Sequence, residues 1–172
     1  ANIQDIYPLS ALQEGILFHS LYDQEDTAYI VQFYCDLTGS FSRTSFDKSW
    51  MHLMQQHTIL RTSIYAEGLN VPVQCVYEQL ELPIQELDYS HLSEVEQEAA
   101  FTLFLDQDKK ERFTLSKAPL FRITLFHLGM NRTRMIFTNH HILWDGWSFS
   151  KLLSNFMKCY KILDSKVSLP SI

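Results

Sequence analysis

Apolar residues recur along this chain in two periods, one near 3.6 and one of 2, which predicts alternating helices and strands. Tyr29, Val31, Phe33, Cys35 and Leu37 alternate against a more polar set, predicting a half-buried strand that stops at Gly39. Phe46, Trp50, Leu53, Met54 and His57 then recur at helical spacing. Leu60 to Tyr65 and Val71 to Tyr77 read as two strands around the turn Glu67-Gly68-Leu69-Asn70, and Pro83 to Leu87 as a short third. Leu120 to Leu128 and Arg134 to Leu143 follow as strands joined through Gly129 to Arg132. Phe149, Leu152, Leu153, Phe156, Met157 and Tyr160 form the apolar stripe of a last helix.

Two more helices announce themselves by their caps. Ser10 with Gln13 resembles a capping box opening a helix through about Leu21, and Ser93 with Glu96 opens another that runs to about Lys110. This order predicts an α/β or α+β domain, with helices packed on a mixed sheet. The pattern sets one domain over 1–165, with the 166–172 tail expected to start a linker. Arg134 to Leu143 is expected as a central strand carrying His141 at its end, with Phe149, Phe156 and Tyr160 packed on the sheet.

Composition narrows the function. Against 14 Lys+Arg stand 20 Asp+Glu, a net charge of -6, and no basic run marks a nucleic-acid footprint. Cys35, Cys75 and Cys159 are far apart and in no C-x-x-C arrangement, so neither a disulfide framework nor a zinc site is expected and a reducing cytoplasm fits. Cys35 reads as core. No apolar stretch approaches the roughly 18 residues of a membrane span.

The chemistry concentrates in one segment, Asn139-His140-His141-Ile142-Leu143-Trp144-Asp145-Gly146-Trp147-Ser148. Neighbours on a strand point to opposite faces, so His140 and His141 are poorly placed to share a metal ion, and no third ligand is suitably spaced. The pattern alone fits two readings equally. One histidine is a satisfied core residue while Asp145 shapes a turn or caps the last helix, or an imidazole of pKa about 6.5 is poised for proton exchange. Asp145 is expected to act structurally, paired with Arg61 or with backbone N–H groups, and Gly146 to permit a chain reversal. A serine hydrolase is a poor fit, since no G-x-S-x-G is present, and no glycine loop could cradle phosphate.

The segment His140 to Ser148 resembles the H-H-x-x-x-D-G signature of condensation domains from non-ribosomal peptide synthetases. Two further stretches agree in order. Tyr7-Pro8-Leu9-Ser10-Ala11-Leu12-Gln13-Glu14-Gly15-Ile16-Leu17-Phe18-His19 resembles that family's first core motif, and His57-Thr58-Ile59-Leu60-Arg61-Thr62-Ser63-Ile64 its second. Gln56 and Ile64 depart from the arginine and phenylalanine usual in that second motif.

The resemblance implies a chloramphenicol-acetyltransferase-like sandwich, one half of a V-shaped pair of subdomains with the active site in the tunnel between them. By position, His141 matches the catalytic histidine. His140, Asp145 and Gly146 complete the catalytic signature, with Arg61, Trp147 and Ser148 as supporting residues. The implied reaction joins a donor aminoacyl or peptidyl thioester to the α-amine of an acceptor, making an amide. No cofactor is bound covalently, because phosphopantetheine arrives on donor and acceptor peptidyl carrier proteins. A C-terminal subdomain and an adenylation domain are the implied neighbours in the same synthetase. The resemblance also implies that these 172 residues alone turn over little. Alternatives are an epimerization domain with the same histidine signature, a coenzyme A acyltransferase, and a non-catalytic half that docks carriers. The form of the first motif is similar to that of domains accepting a D-configured donor.

Overall fold

A computed structural model describes residues 2–22, 27–129 and 131–165. The 166–172 tail, expected to begin a linker, lies outside them. The strands are β1 (Ile3–Pro8), β2 (Ile30–Thr38), β3 (Thr62–Tyr65), β4 (Val73–Tyr77), β5 (Ile84–Asp88), β6 (Phe121–His127) and β7 (Arg132–His140). The helices are α1 (Ala11–Tyr22), α2 (Arg43–Gln56), α3 (Glu94–Lys110) and α4 (Gly146–Asp164).

The strands form two sheets where the hydrophobic pattern suggested one. A mixed sheet has the order β2-β7-β6-β5, with β5 and β6 parallel and the other pairs antiparallel. A smaller antiparallel sheet has the order β1-β4-β3. The hairpin of β3 and β4 is where the alternation put it. β1 escaped the pattern for a physical reason. Its two isoleucines, Ile3 and Ile6, lie three apart and break the period of 2, and its pairing with β4 shifts register between Ile3 and Asp5. Pro8 is tolerated because β1 is an edge strand.

β7 is central, as its continuous apolar run implies. Met135 and Phe137 point into the core shared with α2 and α4, whereas Ile136 points to a second core under α3. The main core is largely aromatic. Phe121 and Phe137 stack 5.2 Å apart, Trp50 lies 5.1 Å from Phe137, and Phe156 covers Trp50 at 4.7 Å. Phe149 packs on the sheet through Phe33 and Phe137. Phe156 shares the main core with the sheet and also packs on α2 through Phe46, which Tyr160 meets as well. On the edge strand β2 the inward set is only half-buried, Cys35 included, and Val31 is exposed.

Local signals position these elements. Ser10 and Gln13 exchange backbone and side-chain bonds at 3.0 and 3.3 Å, closing the box that starts α1. Ser93 and Glu96 do the same for α3. Gly129 ends β6 with φ 77°, a left-handed conformation that favours glycine, and the Arg132 N–H returns to its carbonyl at 2.9 Å.

Candidate functional site

The histidine segment begins where β7 leaves the sheet. His140 is its last strand residue, paired with Ile30, and His141 already lies in the turn that follows. The strand therefore stops short of the Arg134 to Leu143 range expected for it and does not include His141. A backbone bond prolongs the ladder past it, because the His141 N–H donates to the Tyr29 carbonyl at 2.8 Å. The Tyr29 ring also stacks on His140, with centroids 6.1 Å apart.

The two imidazoles differ sharply. His140 is buried, and its Nδ1 accepts the Ile142 N–H at 3.1 Å, which leaves the ring proton of the neutral form on Nε2. Burial, with smaller contributions from the positive charges of His141 and Arg112, pushes its pKa down to about 4. His140 is thus a neutral donor at pH 7 and lines a cavity of about 850 Å3.

His141 is half-buried, fixed by its backbone, and its Nδ1 is buried without a hydrogen-bond partner among the described residues. A ring held this way has unmet hydrogen-bonding capacity beside an exposed carboxylate. That carboxylate, Asp145, caps α4 and accepts the Ser148 N–H at 2.8 Å. The Ser148 backbone and side chain hold its carboxyl below the usual carboxylate value, and the charge of His141 adds to this.

Two expectations about this loop need correction. Of the two partners expected for Asp145, the backbone N–H is the one it has and Arg61 is not. Arg61 is buried on the side of the smaller sheet, donating to the Met54 carbonyl at 2.7 Å, to Gln4 Oε1 at 2.8 Å, and to the Tyr77 and Glu78 carbonyls. It ends the 3-10 turn Thr58–Arg61, so its side chain ties α2 to β4 instead. Gly146 is the first residue of α4, outside the left-handed region, and a Cβ there would meet nothing within 4 Å. The reversal is made by the residues before the cap. Trp147 is 85% exposed, and Ser148 contributes the N–H that satisfies the cap.

Two neighbours of the histidine turn carry no signal of that role in the sequence. Tyr29 begins the alternating strand, and its role emerges only when β2 is registered against β7. Gln13, recognisable as part of a helix cap, also donates to the Ile142 carbonyl at 3.4 Å and so joins the first motif to the histidine turn. Among the described residues no cluster of three or more His, Cys, Asp or Glu could hold a metal ion, and no helix is long and apolar enough to cross a membrane.

The condensation-domain family model matches residues 3–172, the described site included. The chain belongs to the condensation-domain family. This condensation-domain chain is 40% identical over 175 residues to a plipastatin synthase protein of Bacillus subtilis (strain 168), covering 99% of itself and 7% of that protein. It is 35% identical over 168 residues to tyrocidine synthase 2 of Brevibacillus parabrevis, covering 98% of itself and 5% of the relative. It therefore spans a small fraction of these relatives.

Solved structures agree on the fold. A starter condensation domain of rhizomide synthetase superposes with a TM-score of 0.86 at 18% identity, over 98% of this chain and 42% of that one. A holo four-domain nonribosomal peptide synthetase bound to AMP and glycine gives 0.82 at 24% identity, over 92% and 12%. The architecture is the chloramphenicol-acetyltransferase-like sandwich of condensation domains.

Proposed function

We propose that this chain supplies the histidine-bearing part of a condensation domain that forms an amide bond in non-ribosomal peptide synthesis. The donor is an aminoacyl or peptidyl thioester and the acceptor the α-amine of a second aminoacyl thioester, each on the phosphopantetheine arm of a carrier protein. The observation that carries this reading is the geometry at the end of β7. His141 is held by its backbone to Tyr29, and its ring keeps unmet hydrogen-bonding capacity next to the Asp145 cap. The family resemblance points to His141 rather than His140 by position, and the structure gives an independent reason. His140 is buried and its Nδ1 is occupied.

The amine lone pair attacks the thioester carbonyl carbon, a C–N bond forms, and the C–S bond of the tetrahedral intermediate breaks. The thiolate leaves, taking up the proton that the amine gives up. An α-amine has a pKa of about 8 and is largely protonated at pH 7, so a group that accepts its proton helps. The thioester is already activated, so holding the two reactants in line also lowers the barrier by several kcal/mol. His141 serves the first need as a proton acceptor and the second as a hydrogen-bonding anchor. The chain covers 42% of the solved starter condensation domain. A C-terminal subdomain is proposed to close the tunnel, so the 172 residues alone should turn over little.

The test is product formation from loaded donor and acceptor carriers by the full-length parent, its His141→Ala variant and this fragment. The variant should lose about 10²- to 10⁴-fold in rate with an unchanged melting temperature. Unimpaired condensation by His141→Ala would remove that residue from the site. Robust condensation by the fragment would remove the need for a second subdomain.

A further inference from the structure

The cavity beneath His140 belongs to no part of the mechanism above, yet it is built like a ligand pocket. At about 850 Å3 it falls within the range of pockets that enclose small molecules, roughly 300–1,000 Å3. Leu17, Ile30, Ile64, Phe113 and Leu115 give it apolar walls. Arg112 and Glu67 bring opposite charges to its lining, so it has no single-sign preference for a charged guest. Ser20 also lines it, and its Oγ is buried with no hydrogen-bond partner among the described residues. A buried hydroxyl left unpaired is destabilising, and a guest able to bond it would recover that loss.

His140 supplies a second fixed polar contact. Its Nδ1 is occupied by the Ile142 N–H, so Nε2 carries the hydrogen and serves as a donor. The cavity also adjoins the proposed chemistry. Tyr29 lines it, and the carbonyl of that residue holds the His141 backbone.

We propose that this cavity receives the uncharged side group of a carrier-bound aminoacyl or peptidyl thioester, its apolar walls setting the size admitted and Ser20 and His140 bonding the polar atoms of those side groups that carry them. The proposal rests on the amide-forming reading and assigns to that site a determinant of substrate size. Either thioester presents such a side group, and the experiment separates donor from acceptor.

The parent synthetase is assayed with glycyl, leucyl and phenylalanyl donors against a fixed glycyl acceptor, and then with the roles exchanged. Ala66→Phe narrows the cavity from the β3 end. Ser20→Leu narrows it from α1, and the melting temperature of both variants establishes that they are folded. In one arm, each variant should lower kcat/KM for the leucyl and phenylalanyl substrates about tenfold or more relative to the glycyl one. The arm that responds identifies the guest as donor or acceptor. If folded variants lower every substrate by the same factor in both arms, the cavity assignment is overturned while the amide-forming reading stands. A wild-type parent that joins no loaded pair overturns both.

Discussion

Asp108 and Asp145 are both capable of capping or pairing, yet they occupy opposite extremes of this molecule. Asp108, outside every motif, is 4% exposed and accepts from Arg122 Nε at 2.6 Å, Gln32 Nε2 at 2.7 Å and Thr138 Oγ1 at 2.6 Å. Asp145, in the family signature, is exposed and is held at the start of α4 by the backbone and side chain of Ser148. The first fastens the end of α3 to β2, β6 and β7. The second ends a turn beside His141. A motif residue and a fold-holding residue of the same chemistry are thus separable here, and burial is not what gives the signature carboxylate its place.

Removing Asp108 should have the largest effect. Asp108→Ala leaves the Arg122 guanidinium, itself largely buried and stacked 4.6 Å over Phe113, without its partner. Breaking a buried pair from one side costs about 3–5 kcal/mol. Melting of the whole condensation domain should fall steeply or the domain should fail to fold. If Asp108→Ala melted like the wild type, the division between the two carboxylates would collapse.

That division also explains what was legible in the sequence. Periodicity and caps located α1, α3, α4 and the β3–β4 hairpin because those signals are local: Ser93 with Glu96, Ser10 with Gln13, the stripe from Phe149 to Tyr160. The histidine turn was legible because reactive residue types cluster within nine positions. Asp108 was not, since its partners lie 14, 30 and 76 residues away and nothing in the chain pairs them before the sheet forms. The same holds for Tyr29 and His141. Arg61 is no partner of Asp145 because membership of neighbouring motifs is not nearness in space. Its guanidinium is used up by carbonyls at the end of β4 and by Gln4.

Acid should sharpen the comparison next. The folded-state pKa of His140 is lowered to about 4 against an unfolded value of about 6.5. Between those values the unfolded chain binds more protons, so stability falls as pH drops through that window. The loss approaches about 3 kcal/mol near pH 4. Asp145, its carboxyl held below the usual value, stays charged throughout. Denaturant midpoints measured from pH 7 to pH 4.5 should decline, and His140→Gln, which cannot titrate, should flatten the curve. An unchanged slope in that variant would mean that His140 is not the group whose protonation opposes folding.

The smallest expected effect is that of Asp145 itself. Asp145→Ala removes the acceptor for the Ser148 N–H and should lower the melting temperature only slightly, several-fold less than Asp108→Ala. Asp145→Ser keeps a competent cap and should restore that loss. The pH dependence runs in a different window from that of His140. A carboxyl whose pKa is lowered on folding stabilises above its unfolded value, near 3.8, and loses this as pH falls through the lower folded value. So the difference between wild type and Asp145→Ala should be flat above pH 4 and shrink below it. Turnover then decides whether the carboxylate has a second task. If Asp145→Ser restores both melting and condensation, the residue is a cap and nothing more. If it restores melting but condensation stays lost, the charge acts on His141 or on a group that the rest of the synthetase brings to this exposed edge.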